Sequence, residues 1–274
     1  MTRIAPHEAH WPRRLPRALV IPETTLWFNA QVSARRYPHK AMYNFLGREL
    51  SFAAFETQAL AIAGWLQAHG VQPGDRVMVL MQNCPQYAVA FYGALRAQAV
   101  VVPVNPMNRS DELGHYITDP GVRVALVSAD LASALTQASE RLEPSLRLQH
   151  MLVTHYADTL PPREEADVVP PAMADWLYAR HPLPSGATPW LDALDAKLAP
   201  SEYTGQPDDL AILPYTSGTT ALPKGCMHTH RTLMPNVVNG EWSYASAATT
   251  SLGVVPMFHI TGMMYGVHSP LWLG

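Results

Sequence analysis

The chain has 274 residues, 48% of them hydrophobic and only 15% charged, against a charged share of about 25% in ordinary globular domains. This excludes a disordered or collagen-like polypeptide and leaves room for one large domain or two small ones around a sizeable core. Lys and Arg number 19 against 22 Asp and Glu, for a net charge of −3; such a balance supplies no field to attract a nucleic-acid backbone or an anionic membrane surface, so no nucleic acid is expected as partner.

The N-terminus carries Arg3, Arg13, Arg14 and Arg17, but Pro6, Pro12, Pro16 and Pro22 interrupt it and no apolar stretch follows. It reads as a solvated arm rather than a secretory signal or a transit helix. No apolar run approaches the roughly 18–20 residues of a membrane span, and the two cysteines, Cys84 and Cys226, make no disulfide framework. A cytoplasmic protein with reduced thiols and no transmembrane segment is expected.

From about residue 45 the pattern alternates helix and strand. Ser51 can cap a helix with apolar positions Phe55, Ala59, Ile62 and Leu66, which ends at Gly70. The turn at 71–75 feeds a strand over 76–83, and Asn83 is placed to cap the next helix, with Pro85 in its first turn and Ala88, Phe91, Tyr92 and Leu95 on one face. A strand is expected at 99–104, a helix after Ser110, a strand at 122–127, a helix near 128–142 and a strand near 147–153. Repeated β-then-α units place strands in parallel, with ligands at their carboxyl ends.

Nine prolines fall within 158–207, which predicts a surface loop region with short helices near 172–179 and 189–198. A short strand at 209–215 then leads directly into Tyr215-Thr-Ser-Gly-Thr-Thr-Ala-Leu-Pro-Lys-Gly225, which sets four hydroxyls, a glycine and a lysine within nine residues. Gly218 lets the backbone turn so that several N–H groups face one concavity. Thr216, Ser217, Thr219 and Thr220 add hydroxyl donors, and Lys224 adds a compact positive charge. An isolated Ser/Thr/Gly segment is usually a solvated loop; the strand before it and the lysine at its end favour nucleotide-phosphate binding. The segment is not a Walker loop, since Lys224 precedes a glycine, and no G-x-G-x-x-G occurs.

The segment resembles the signature phosphate loop of the adenylate-forming superfamily: acyl-CoA synthetases, aryl-CoA ligases, luciferases and peptide-synthetase adenylation domains. It departs only at Ala221, where the family usually has glycine. Residues 74–106 are similar to the family's first α/β stretch, and 254–263, VVPMFHITGM, to the motif in which an aromatic-His pair ends a strand at the acyl pocket; the likeness runs from about residue 20 to the last residue.

The resemblance implies an α/β fold of mixed, largely parallel sheets flanked by helices, and an AMP-forming acid–thiol ligase that joins a carboxylic acid to ATP and then to coenzyme A. Thr216, Ser217, Gly218, Thr219, Thr220 and Lys224 match the positions that hold the ATP phosphates, with Lys224 and His259 as the catalytic pair. Phe258, His259, Thr261, Gly262 and Met263 match the acyl pocket, and the neighbouring Met257, Ile260 and Met264 suit a medium- or long-chain fatty acid.

The same resemblance divides the chain into an arm to residue 50 that packs on the second subdomain, a first subdomain over 51–206, and the start of the second over 207–274. The family's later elements do not occur here: a Tyr-Gly-x-Thr-Glu-like segment whose Glu meets Mg²⁺, an Asp on the ribose, a hinge, and a C-terminal domain carrying the adenylation lysine. An N-terminal part, inactive alone, is therefore expected, with no metal ligand of its own and Mg²⁺ arriving on ATP, its protein ligand lying beyond Gly274. Unpaired sheet edges would favour self-association, up to a homodimer. Alternative readings are an aryl-CoA ligase, a peptide-synthetase-type adenylation domain, or a non-catalytic nucleotide-binding module. Cys226-x-His228-x-His230 does not have zinc-site spacing, and Asp208-Asp209 reads as a solvated turn.

Overall fold

The computed structural model describes residues 9–13, 15–216, 222–239 and 246–274. Its first two features were not legible in the sequence pattern. Helix α1 (Leu26–Arg36) starts where the Thr25 hydroxyl accepts the Phe28 N–H. Strands β1 (Ala41–Phe45) and β2 (Arg48–Ser51) then form an antiparallel hairpin. Its turn places Leu46 and Gly47 at φ of 50° and 93°, the positive pair that matches strand twist, with Asn44 Oδ1 accepting the Gly47 N–H. The Leu-Gly turn lacks the usual Asn-Gly signal.

The expected β/α alternation follows. Ser51 Oγ accepts the Ala54 N–H to open α2 (Phe52–Ala68), and the turn after it, with Gly74 at φ +84°, leads into β3 (Arg76–Leu80). Then come α3 (Pro85–Arg96), β4 (Val100–Pro103), α4 (Ser110–Thr118), β5 (Val124–Ser128), α5 (Ala129–Glu140) and β6 (His150–Thr154).

β3, β4, β5 and β6 pair in parallel. The strands carry almost unbroken apolar runs because both faces are covered. Val77, Val79, Leu126 and Leu152 meet α2 and α3 on one face, while Met78, Leu80, Val102 and Val127 meet Leu113 and Ile117 of α4 and Leu135 of α5 on the other. All twelve residues of α3 are buried, since α1, α2 and the sheet enclose it. This is the expected α/β architecture, mostly parallel and flanked by helices.

The proline-rich stretch is less of a surface loop than its composition suggests. α6 (Pro171–Leu177) buries Leu177, and β7 (Thr188–Pro189) pairs in parallel with β6 at the sheet edge. α7 (Trp190–Asp195) then drives Trp190 into the core. Prolines occupy the edge strand and helix starts, where a missing N–H costs nothing.

The strand expected over 209–215 is broken by Pro214 into β8 (Leu210–Ile212) and β9 (Tyr215–Thr216). β8 pairs in parallel with β4, and β11 (His228–Thr229) pairs antiparallel with β8, so residues on both sides of position 206 share one seven-stranded sheet of order β11-β8-β4-β3-β5-β6-β7. Residues 226–229 do not begin a helix: α8 (His230–Val238) starts only after β11. Finally α9 (Ile260–Met263), a π-helical turn (Met264–His268) and α10 (Ser269–Leu273) run on without a break. Among the described residues no helix is long and apolar enough to cross a membrane.

Candidate active site

The chain leaves the sheet toward the candidate site at the carboxyl ends of three adjacent parallel strands, β8, β4 and β3, which is where doubly wound sheets collect ligands. On the β8 side the two described ends of the candidate phosphate loop come together. β10 (Lys224–Gly225) pairs antiparallel with β9, Lys224 opposite Thr216 and Gly225 opposite Tyr215, and the Cys226 N–H donates to Pro214 O at 2.8 Å. Upstream, the Leu213 N–H donates to Val101 O of β4 at 2.8 Å, which ties the neck to the sheet. Thr216 and Lys224 are both exposed. Ser217, Gly218, Thr219, Thr220 and the departing Ala221 lie outside the described residues.

Helix α4 holds the outside of this neck. The Tyr215 hydroxyl donates to an Asp119 carboxylate oxygen, and burial followed by that carboxylate raises its phenol well above the ordinary value, so it stays a donor at neutral pH. The rings of His115 and Tyr116 meet Tyr215 edge-on, at 5.7 and 4.9 Å between centroids. The imidazole Nε2 of His115 lies 2.7 Å from Pro223 O, the carbonyl just before Lys224.

On the β3 side, the expected strand over 76–83 ends at Leu80, and Asn83 does not cap α3; the cap position is Cys84, which offers no side-chain bond. The Asn83 amide is used elsewhere. Its Nδ2 donates to Gly253 O and Val255 O, at 3.1 and 2.9 Å, and its Oδ1 accepts the Met257 N–H at 2.8 Å. One side chain thus fastens the extended segment that leads to Phe258 and His259.

No ladder forms over 254–258, so His259 does not end a strand. It caps α9, its Nδ1 accepting the Thr261 N–H at 3.4 Å. His259 and Thr261 are exposed on this turn, Phe258 is half-buried, and Met263 and Met264 point into the core. Gly262 lies so close to the extended segment before the turn that a Cβ there would sit 2.1 Å from Pro256 O. Of the expected pocket residues, the fold brings Phe258, His259 and Thr261 together at the surface and turns Met263 away.

Beneath them is a buried polar layer with no sequence signature. The Tyr43 hydroxyl donates to Gly266 O in the π turn at 2.7 Å, and the Tyr92 hydroxyl lies 2.8 Å from His268 Nδ1. His268 has no second partner at Nε2 among the described residues, and burial, with His230 nearby, pushes its pKa down to about 3. His230 accepts the Leu26 N–H on Nδ1, and burial takes it down to about 4. This contact aims His230 inward, whereas His228 faces Thr232; the Cys-x-His-x-His run does not converge, and among the described residues no three His, Cys, Asp or Glu side chains group as metal ligands would. Cys84 and Cys226 are both free thiols.

The family model for AMP-binding enzymes matches residues 30–274. The chain belongs to the AMP-binding enzyme family. A long-chain-fatty-acid–CoA ligase of Bacillus subtilis is 30% identical over 275 residues, 98% of this chain and 48% of that protein. A 4-coumarate–CoA ligase of Oryza sativa is 30% identical over 234 residues, 83% of this chain and 36% of its own length. Among solved structures, an anthranilate–CoA ligase in complex with anthranoyl-AMP superposes with a TM-score of 0.75 at 18% identity, covering 93% of this chain and 44% of that one. This AMP-binding chain therefore spans about half the length of the curated relatives it matches.

Proposed function

We propose that this AMP-binding chain carries the nucleotide- and acid-binding part of an AMP-forming acyl-CoA ligase. In the first step a fatty-acid carboxylate attacks the α-phosphorus of ATP, giving an acyl-adenylate and pyrophosphate; in the second the coenzyme A thiol displaces AMP. Two anions must meet in the first step, so donors must offset their repulsion and receive the charge that gathers on the leaving pyrophosphate. The Thr216 hydroxyl and the Lys224 ammonium take that role at the neck of the loop, together with Ser217, Gly218, Thr219 and Thr220. Mg²⁺ arrives bound to ATP.

His259 and Phe258, at the end of the segment that Asn83 fastens, face the acid, with Thr261 and Gly262 on the turn behind them. The fatty acid is preferred to an aryl acid on the B. subtilis relative's name; the methionines of 257–264 lie in the core and do not bear on the choice. A first subdomain over 51–206 and the start of a second over 207–274 meet at a boundary that β8 and β11 cross, since they continue the sheet of the first, and the arm before residue 51 packs on the later stretch. The contacts of α1 support that arm: Leu26 binds His230, and the Ser33 hydroxyl donates to Leu271 O. Unpaired thiols suit a reducing compartment, and we place the protein in the cytoplasm.

The observation that carries the reading is the pairing of Thr216 with Lys224 across the neck of a loop at the carboxyl end of β8. Calorimetric titration with Mg-ATP tests it. The unaltered chain is expected to bind, and the double variant Thr216→Ala with Lys224→Ala to bind at least tenfold more weakly, about the worth of one hydrogen bond to a charged group. Equal affinities would overturn it. Palmitate against 4-coumarate as the second ligand separates the fatty-acid reading from the aryl one.

A further inference from the structure

We propose that His115 is a positioning residue for the phosphate loop: it holds the Pro223–Lys224 peptide, and through it the Lys224 side chain, in register with Thr216. The inference rests on the ATP-binding reading and adds to it a residue on a different element from the loop.

Three observations combine. First, the partner of His115 is a main-chain carbonyl, which only accepts, so the 2.7 Å contact from Nε2 requires the proton on that nitrogen. Second, that carbonyl precedes Lys224 directly, and Pro223 has a fixed φ and no N–H. Fixing its oxygen therefore sets the plane of the peptide that carries the Lys224 nitrogen. Third, the other edge of the neck is tied to the same helix by the edge-on rings of His115, Tyr116 and Tyr215, and to its C-cap residue by the Tyr215 hydroxyl on Asp119. One helix, α4, thus grips both ends of the loop, at residue 215 and at residue 223. The two-rung ladder between β9 and β10 is too short to hold the neck by itself. Without the His115 bond the Lys224 end would have to be ordered when the nucleotide binds, and that ordering would be subtracted from affinity.

Side-chain length supplies the test. A glutamine amide nitrogen can reach the place of the imidazole Nε2–H, whereas asparagine is too short. In Mg-ATP titrations His115→Ala is expected to weaken binding about fivefold, the size of one neutral hydrogen bond. His115→Gln should recover most of that loss and His115→Asn should not, with all three variants melting within a few degrees of the unaltered chain. Equal affinity in His115→Ala, or equal behaviour of Gln and Asn, overturns the proposal. Loss of ATP binding in the Lys224 variant alongside unchanged binding in His115→Ala would sink the positioning role and leave the ATP reading standing; no ATP binding by the unaltered chain would remove both. If the alanine variant fails to fold, nitrogen-15 spectra of histidine in the unaltered chain decide: a proton on Nε2 of His115 is required, and the Nδ1–H tautomer refutes the contact.

Discussion

The centre of the sheet and the stretch from residue 207 onward are built in different ways. In β3 to β6 each strand is a short, largely apolar run that pairs in parallel with its neighbours in the sheet, and whose side chains are buried under helices packed on both faces. From residue 207 the elements are two to five residues long, apart from α8, and the contacts that place the candidate site come from residues far back in the chain: Val101 for Leu213, Asp119 for Tyr215, His115 for Pro223, Asn83 for 253–257. The first region is held by burial, which is non-directional and large. The second also sends Ile212, Leu233, Val237 and Leu271 into the core, but its loop neck and the 253–257 segment are placed by single polar contacts, each small, which leaves the site placed by the sheet rather than part of it.

This contrast can be broken most forcefully at the centre. Leu126 of β5 is fully buried between the neighbouring strands and the α2 and α3 side, and Leu126→Ala is expected to cost about 2–5 kcal/mol from the transfer and cavity terms together. Urea unfolding should show a single cooperative loss of the whole chain rather than of one corner.

Acid is the next lever. His230 and His268 have folded pKa values depressed to about 4 and about 3. The unfolded chain, with ordinary histidines, binds more protons below about pH 6.5. Stability is therefore complete above that pH and is lost as pH falls toward 4, at up to about 1.4 kcal/mol per pH unit for each histidine. Melting curves between pH 7 and 4.5 should show a falling midpoint, and His268→Gln should flatten that fall while lowering the plateau. A midpoint independent of pH over this range would contradict the buried neutral imidazoles.

The smallest effect is the most local. Asn83→Ala removes three hydrogen bonds to the 253–257 segment, about 2 kcal/mol in all after solvent compensation. Because none of them touches the β8 side, the titration with fatty acid should weaken while Mg-ATP affinity stays within twofold. Equal loss on both would mean that the two flanks of the site are not independently held.

Much of the sheet was legible. Ser51, the helix pattern up to Gly70 and the apolar runs at 76, 99, 122 and 147 carry their own periodicity and caps, and their bounds moved by only a few residues. The hairpin at 41–51 was missed because Leu-Gly is a weak turn signal, and the burial of Trp190 because prolines around it suggested solvent. The loop motif proposes phosphate-binding residues by type and spacing, and the described part of it, Thr216 paired with Lys224, forms the neck of the loop. Nothing local marked His115 and Asp119 as supports of the loop neck or Asn83 as the support of 253–257: Asn83 stands where a cap would, and only the approach of residues 170 or more positions away shows its use.

By itself, then, the sequence determined the local states: which runs bury, where helices start, which hydroxyls and which lysine cluster after residue 215. Those follow from side-chain volume, periodicity and backbone freedom within a few residues. The tertiary structure decided which polar groups meet, because a hydrogen bond needs two atoms within about 3 Å and that distance is set by how β3, β4 and β8 lie side by side. The sequence names the candidate loop, and the packing of α4 and β4 against its neck decides what holds that neck in place.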